Sequence, residues 1–254
     1  MGERRLPRRW ADLIRQLLLF GLAYALYEVV RWLVDGPDAA RAAGDATRII
    51  DLERRLHVFV EPSVQAWTQG RPWLMDIAAA TYLDAHTVLT IGALLFIYLR
   101  RNDSYRFVRT MFMVAMALAL VGYAAYPTAP PRLMPQWGFT DPVRQLTGID
   151  AERGPGSILI NPDAAVPSMH ICFALMTGAA MAMLTRRPAL RVLWALYPVG
   201  MTFAVVATGN HYLCDIVLGA LTAGAAAVLS RALLARAHPA VPAFGQAPAP
   251  STPR

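Results

Sequence analysis

The sequence predicts an all-α, polytopic membrane protein: a six-transmembrane-helix bundle with an amphipathic helix and a cap loop on its extracytoplasmic side. Three observations lead there. The 254 residues are 56% hydrophobic with mean hydropathy +0.37, more apolar than a soluble domain. Apolar runs close to the roughly 20 residues that cross a bilayer recur six times along the chain. All 24 basic residues are arginine, and they gather in segments between those runs.

The same composition excludes other classes. The net charge of +7 comes without the aromatic-interleaved basic stripe of a nucleic-acid binder, so it reads as membrane orientation. Cys172 and Cys214 are the only two cysteines, too few for a disulfide framework. The Arg-rich start is followed by an apolar stretch too long for a signal peptide and without a small-residue cleavage site. It reads as a retained first span.

Taken in order, the spans are expected at residues 13–34, 73–99, 110–126, 168–184, 192–208 and 213–234, forming one transmembrane catalytic domain over residues 1–238. Between the first two, Ile49, Leu52, Leu56, Phe59, Val64 and Trp67 recur at helical spacing opposite Asp51, Glu53, Arg54 and Arg55. That pattern predicts an interfacial amphipathic helix, bent near Pro62. The second span carries Asp76, Asp84 and His86, which makes it tilted or partly enclosed by other helices. Residues 127–166 are rich in proline and glycine without a strong period, long enough for a cap. Residues 239–254 are Pro- and Ala-rich and predicted to be disordered.

Arginine bias orients the bundle. With the N-terminus inside, fifteen of the 24 arginines fall on inner segments, and the other nine are spread largely over two long outer connections, where charge counts for less. Both termini are thus expected in the cytoplasm of a cell with the protein in its plasma membrane. Arg132, His170, His211 and Asp215 are all expected near the extracytoplasmic face.

Two helix-start signatures stand out at that face: Pro167-Ser168-Met169-His170, and Gly209-Asn210-His211-Tyr212-Leu213-Cys214-Asp215. His211 and Asp215 are spaced i, i+4, so on a helix they share one face. A carboxylate there can hold the imidazole in one tautomer and stabilise its cation. Helix N-termini offer free N–H groups and partial positive charge to an anion, and Arg132 can grip a phosphate with two hydrogen bonds. Two such N-termini, Ser168, Arg132 and the two histidines therefore predict a phosphate site. The plain alternative is a structural polar pair locking two spans, but ionisable residues in spans are functional by default. A metal centre built on His170, Cys172, His211, Cys214 and Asp215 is disfavoured, because His170 and Cys172 lie about 200° apart around one helix. His86, on the order of 20 Å along the second span, is a possible site residue or a buried contact to another helix.

These residues resemble the type 2 phosphatidic acid phosphatase superfamily, and most closely its inositol-phosphotransferase-like branch. The likeness is carried by Pro127 to Arg132, Pro167 to His170, and Thr208 to Asp215 with Gly219. Looser likeness lies upstream in Leu52-Glu53-Arg54-Arg55-Leu56, Glu61 and Asp84-Ala85-His86. The resemblance implies that His211 takes the phosphoryl group as phosphohistidine, Asp215 orients it, and His170 is general acid and then base. Ser168 and Arg132 would hold the phosphate oxygens. Asn210, a turn or cap residue, could contact one as well. No metal and no cofactor are implied. The partners are a lipid phosphate or phospholipid and the bilayer, with no nucleic acid. Two cations of the wider superfamily are absent, since Tyr126 and Val205 occupy their positions. Arg71 or Arg153 could substitute. The acceptor is left open between an alcohol and water, and a non-catalytic lipid transporter or scaffold is the rival of a different class.

Overall fold

The computed structural model describes residues 10–34, 39–147 and 165–237. The predicted disordered tail at 239–254, the later part of the cap loop and Arg153 lie outside the described residues. Everything regular among the described residues is helical. The helices are α1 (Trp10–Val34), α2 (Ala39–Arg55), α3 (Glu61–Gln69), α4 (Pro72–Ala80), α5 (His86–Arg100), α6 (Asn102–Ala125), α7 (Pro142–Thr147), α8 (Met169–Leu184), α9 (Pro188–Ala207) and α10 (Leu213–Ala237). Proline starts several of them. Pro62, Pro72 and Pro188 sit in the first turns of α3, α4 and α9, where the missing N–H costs nothing and φ is already set.

Among the described residues, four helices are long and apolar enough to cross a membrane: Pro72–Arg100, Asn102–Ala125, Pro188–Ala207 and Leu213–Arg236. Only 22% to 33% of each apolar window is buried inside the protein. Val88, Ile91, Val121, Leu193, Leu221 and Val228 are therefore exposed side chains that an aqueous surface would not tolerate in such density. The bilayer is the solvent that fits them. α8 is apolar but has only 16 residues, about 24 Å at 1.5 Å per residue. It is the inner helix, packed by α6, α9 and α10.

The expected second span is one continuous rod from Pro72 to Arg100, but it is not uniform. Residues Thr81–Ala85 form a π turn between α4 and α5. Such turns are rare and frequently found at functional sites. The third span begins at Asn102, earlier than its apolar run suggested, because Tyr105 and Val108 are buried against neighbours. The fifth likewise begins at Pro188.

The single amphipathic helix bent at Pro62 is not what forms. The chain breaks after Arg55, with His57 at φ 59°, and restarts as α3, which Pro62 opens rather than bends. Its apolar face divides accordingly. Ile49 joins Ala42, Ala46 and Ile50 against Ala129, Met134, Phe139 and Tyr212, whereas Leu52, Leu56 and Trp67 are exposed. Helix α2 thus rests on the start of the cap loop, because small Ala42 and Ala46 let it approach closely. The loop itself holds two short 3-10 turns, Pro131–Leu133 and Pro135–Trp137, and then α7.

Among the described residues the core has a small cluster of Ala78, Ala204 and Ala207 and three larger apolar ones. The largest joins Val108, Phe112 and Ala115 of α6, Cys172 and Met176 of α8, and Ala223 and Ala226 of α10. The second lies under α2. The third packs Tyr82 of the π turn with Ile171, Ala174, Met201 and Val205. The candidate site lies where the last two meet.

Close approach of α10 to the start of α8 requires Gly219. A Cβ there would lie 2.4 Å from the Ser168 carbonyl oxygen, a backbone atom that cannot rotate away. Gly219→Val should therefore lower stability by about 1–3 kcal/mol through overpacking, read as a fall in the thermal unfolding temperature of the detergent-solubilised protein. An unchanged midpoint would mean that the two helices separate more easily than this contact implies.

Candidate active site

Two chain reversals build the site. The first leads from the cap loop into α8. Ser168 caps that helix, accepting the Ile171 N–H on its hydroxyl oxygen at 3.4 Å, as serine does best at this position. Its hydroxyl proton remains available for donation. The N–H groups of Met169 and His170, which follow it, find no partner among the described residues.

The second reversal joins α9 to α10. Gly209 takes φ +69°, a left-handed conformation open to glycine, and the chain folds back so that Asn210 donates its N–H to Val205 O at 2.9 Å. Asn210 Nδ2 donates to Thr208 Oγ1 at 2.8 Å. Its Oδ1 is thereby aimed at Arg132 Nη1, 2.6 Å away. Arg132 is also fixed through its own N–H, which donates to Gly209 O at 2.7 Å, and its Nε lies 3.9 Å from Asp141 Oδ2. The guanidinium is buried, and its Nη2 has no partner among the described residues. A buried orphan donor of this kind needs a ligand or water to satisfy it.

The two histidines meet between these reversals. His211 Nε2 lies 3.4 Å from His170 Nδ1, and His211 Nδ1 lies 3.5 Å from Asp215 Oδ2. The second is an ion-pair approach rather than a hydrogen bond, and His211 Nδ1 has no hydrogen-bond partner among the described residues. Asp215 is fully buried and fixed by accepting the Tyr212 N–H at 2.9 Å. The two are not on one helix face as the spacing predicted, because α10 begins at Leu213 and His211 precedes it; they still meet in space, with Asp215 facing one ring nitrogen and leaving the other toward His170.

His86 joins them. The π turn and the residue after it bring Tyr82 and His86 against His170, with ring centroids 4.6 Å and 5.1 Å from it. His86 Nδ1 pairs with the Tyr197 hydroxyl at 2.7 Å. His86, His170 and His211 therefore form a row, so the apparent depth of His86 along its span did not take it away from the site. Asp76 and Asp84 are exposed and stand outside it. Arg71 is held at Trp67, over the ring at 4.1 Å and donating to its carbonyl oxygen at 2.7 Å. Cys172 is buried in the core between α6 and α10, whereas Cys214 sits beside Asp215.

One expectation is overturned. The α10 N-terminus does not offer free N–H groups to an anion. The Leu213 N–H donates to Glu61 Oε1 at 2.9 Å and the Cys214 N–H to Glu53 Oε1 at 2.7 Å, while Asp215 takes that of Tyr212. Three carboxyl groups already occupy that helix end, and only α8 keeps unpartnered N–H groups. Burial, then the neighbouring Glu61 carboxyl, raises the Glu53 pKa to about 8. The sequence signals either one only weakly: Glu61 carries a looser family likeness, and Glu53 is expected on the polar face of an amphipathic helix, with its partner 161 positions away. The remaining contributors, Tyr82, Asp141 and Tyr197, carry no local signal either, because each reaches the site from a different element.

With this geometry in hand, comparison with known families is informative. The family model of the PAP2 superfamily matches residues 47–229, a span from α2 to α10 that contains every residue of the site. The chain belongs to this superfamily, and is an enzyme of the type 2 phosphatidic acid phosphatase class. Neither the curated proteins nor the solved structures give a match to it.

Proposed function

We propose that this enzyme moves a phosphoryl-type group from a membrane lipid to an acceptor through a phosphohistidine at His211. The observation that carries the reading is His211 set between Asp215 and His170, with the orphan Nη2 of Arg132 beside them. His211 Nε2 attacks phosphorus while the bond from phosphorus to the leaving oxygen breaks. Protonated His170 gives its proton to that oxygen, and the alcohol departs. The acceptor hydroxyl then returns a proton to His170 as its oxygen attacks phosphorus and frees His211. Asp215 holds the Nδ1 proton and steadies the positive ring. Arg132, kept in place by Asn210, binds the phosphate oxygens together with Ser168 and the α8 N–H groups. His86 orients His170 from behind.

The preferred acceptor is an alcohol, in the manner of an inositol-phosphate transferase. Tyr126 and Val205 stand where the wider superfamily has cations, and Val205 is fully buried against α8, which favours the branch whose phosphate site is built without them. The alternative acceptor is water, which would make the enzyme a lipid phosphate or polyprenyl diphosphate phosphatase. Labelled phospholipid incubated with purified protein, with and without inositol or other alcohols, separates the two by product. Retention of the fold for lipid transport alone would give neither product.

In the membrane, α1 and α8 complete the six spans begun by the four long helices. Both termini are cytoplasmic, the site opens to the extracytoplasmic side, and the catalytic domain runs over residues 1–238.

His211→Ala should reduce kcat by on the order of 10⁴-fold or more, as loss of a nucleophile does elsewhere, in protein that still inserts and purifies as a monodisperse species. Near-normal turnover would end the phosphohistidine assignment.

Cysteine introduced at Gly156 should react with an impermeant thiol reagent in intact cells. Labelling that appears only after lysis would place the cap loop in the cytoplasm.

Charge at the transferring group is met here by Arg132, helix N–H groups and imidazoles. Activity should therefore persist in excess EDTA, and vanadate, which mimics five-coordinate phosphorus, should inhibit. Loss of activity in chelator, restored by one added metal, would make the histidines ligands instead.

A further inference from the structure

Glu53 of α2 and Glu61 of α3 come from separate helices to one place, the first turn of α10. Both are 0% exposed, and each spends its Oε1 on one backbone N–H of that turn. Their Oε2 atoms are buried with no hydrogen-bond partner. Two ionised carboxylates in this position would bury two charges and leave two acceptors empty, a costly state. One proton between them removes both problems, since a protonated carboxyl donates to its neighbour. The other groups facing the pair are Tyr212, Cys214 and Asp215, all at the start of α10.

The electrostatic consequence falls on His211. The positive end of the α10 dipole points at it and disfavours a cationic ring. A single negative charge on the glutamate pair, added to Asp215, opposes that dipole where the ring gains positive charge during phosphoryl transfer. We infer that Glu53 and Glu61 are positioning residues for this reaction: they hold the first turn of α10, and with it His211 and Asp215, through one shared proton and one shared negative charge. This rests on the reading of His211 as nucleophile.

A shared proton makes an unusual demand on mutants. Glutamine imitates a protonated glutamate, so in Glu53→Gln or Glu61→Gln alone the remaining carboxyl carries the charge and both N–H groups stay capped. Each single variant should keep kcat within about threefold of wild type. The double variant Glu53→Gln/Glu61→Gln keeps the caps but loses the charge. Its kcat should fall at least tenfold, with KM within twofold and the thermal midpoint little changed, because neither residue touches substrate. A tenfold loss in either single variant overturns the inference whatever the double variant does. So does a double variant with wild-type kcat, or one whose KM rises in step with the fall in kcat. His211→Ala assayed alongside separates the two claims: if it stays active, the nucleophile reading fails. If it is inactive and the glutamine pattern is absent, only the inference about the glutamates fails.

Discussion

Ser168 donates its backbone N–H to the carbonyl oxygen of Asp215 at 3.1 Å, and the rest of the site depends on that contact. It ties the start of the inner helix to the start of the last one, so His170, just inside α8, and His211, just ahead of α10, face each other. Only a chain without a side chain at residue 219 can come this close. Once the two starts are joined, His170 and His211 have little freedom, Asp215 is drawn fully inside, and the α9–α10 reversal lies against Arg132. The site is in effect a junction between two helix ends, braced by one glycine turn.

The two ends are used differently. At α8, serine caps the helix and the next N–H groups stay open. At α10, carboxyl groups from three elements satisfy the equivalent groups. A phosphate drawn to the junction therefore meets positive dipole on one side and a negative shell on the other. That asymmetry suits the proposed mechanism, in which the transferred group binds near α8 and the His211 ring, just ahead of α10, becomes positive.

The elements around the junction are placed by the bilayer as much as by one another. Most of the apolar surface of the four long helices faces outward, so lipid supplies their solvent. The polar site is confined to one end, beneath α2, α3 and the beginning of the cap loop. The π turn before His86 fits this economy of space, since it aims both Tyr82 and His86 at His170 from a helix that otherwise faces lipid.

The sequence by itself determined the class of the protein and its helical make-up. Apolar run length is a local property fixed by bilayer thickness, and the approach of His211 to Asp215 is local too, although α10 begins only at Leu213 and His211 stands just ahead of it. Serine and proline before His170 announced a helix start, and that start is there. Local pattern failed where a side chain is satisfied by something distant. The apolar period through Leu52, Leu56 and Trp67 suggested one helix, but the residues buried on α2 are those next to Ala42 and Ala46, chosen by fit to the loop. His86 looked too deep because a rise per residue gives depth along an axis and says nothing about which helix lies alongside. The glutamate caps on α10 could not be foreseen, because a hydrogen bond between residues more than 150 positions apart exists only once the chain has closed. Which residues meet was decided by tertiary packing, since unsatisfied backbone groups at a buried helix end take whatever acceptor the fold brings to them.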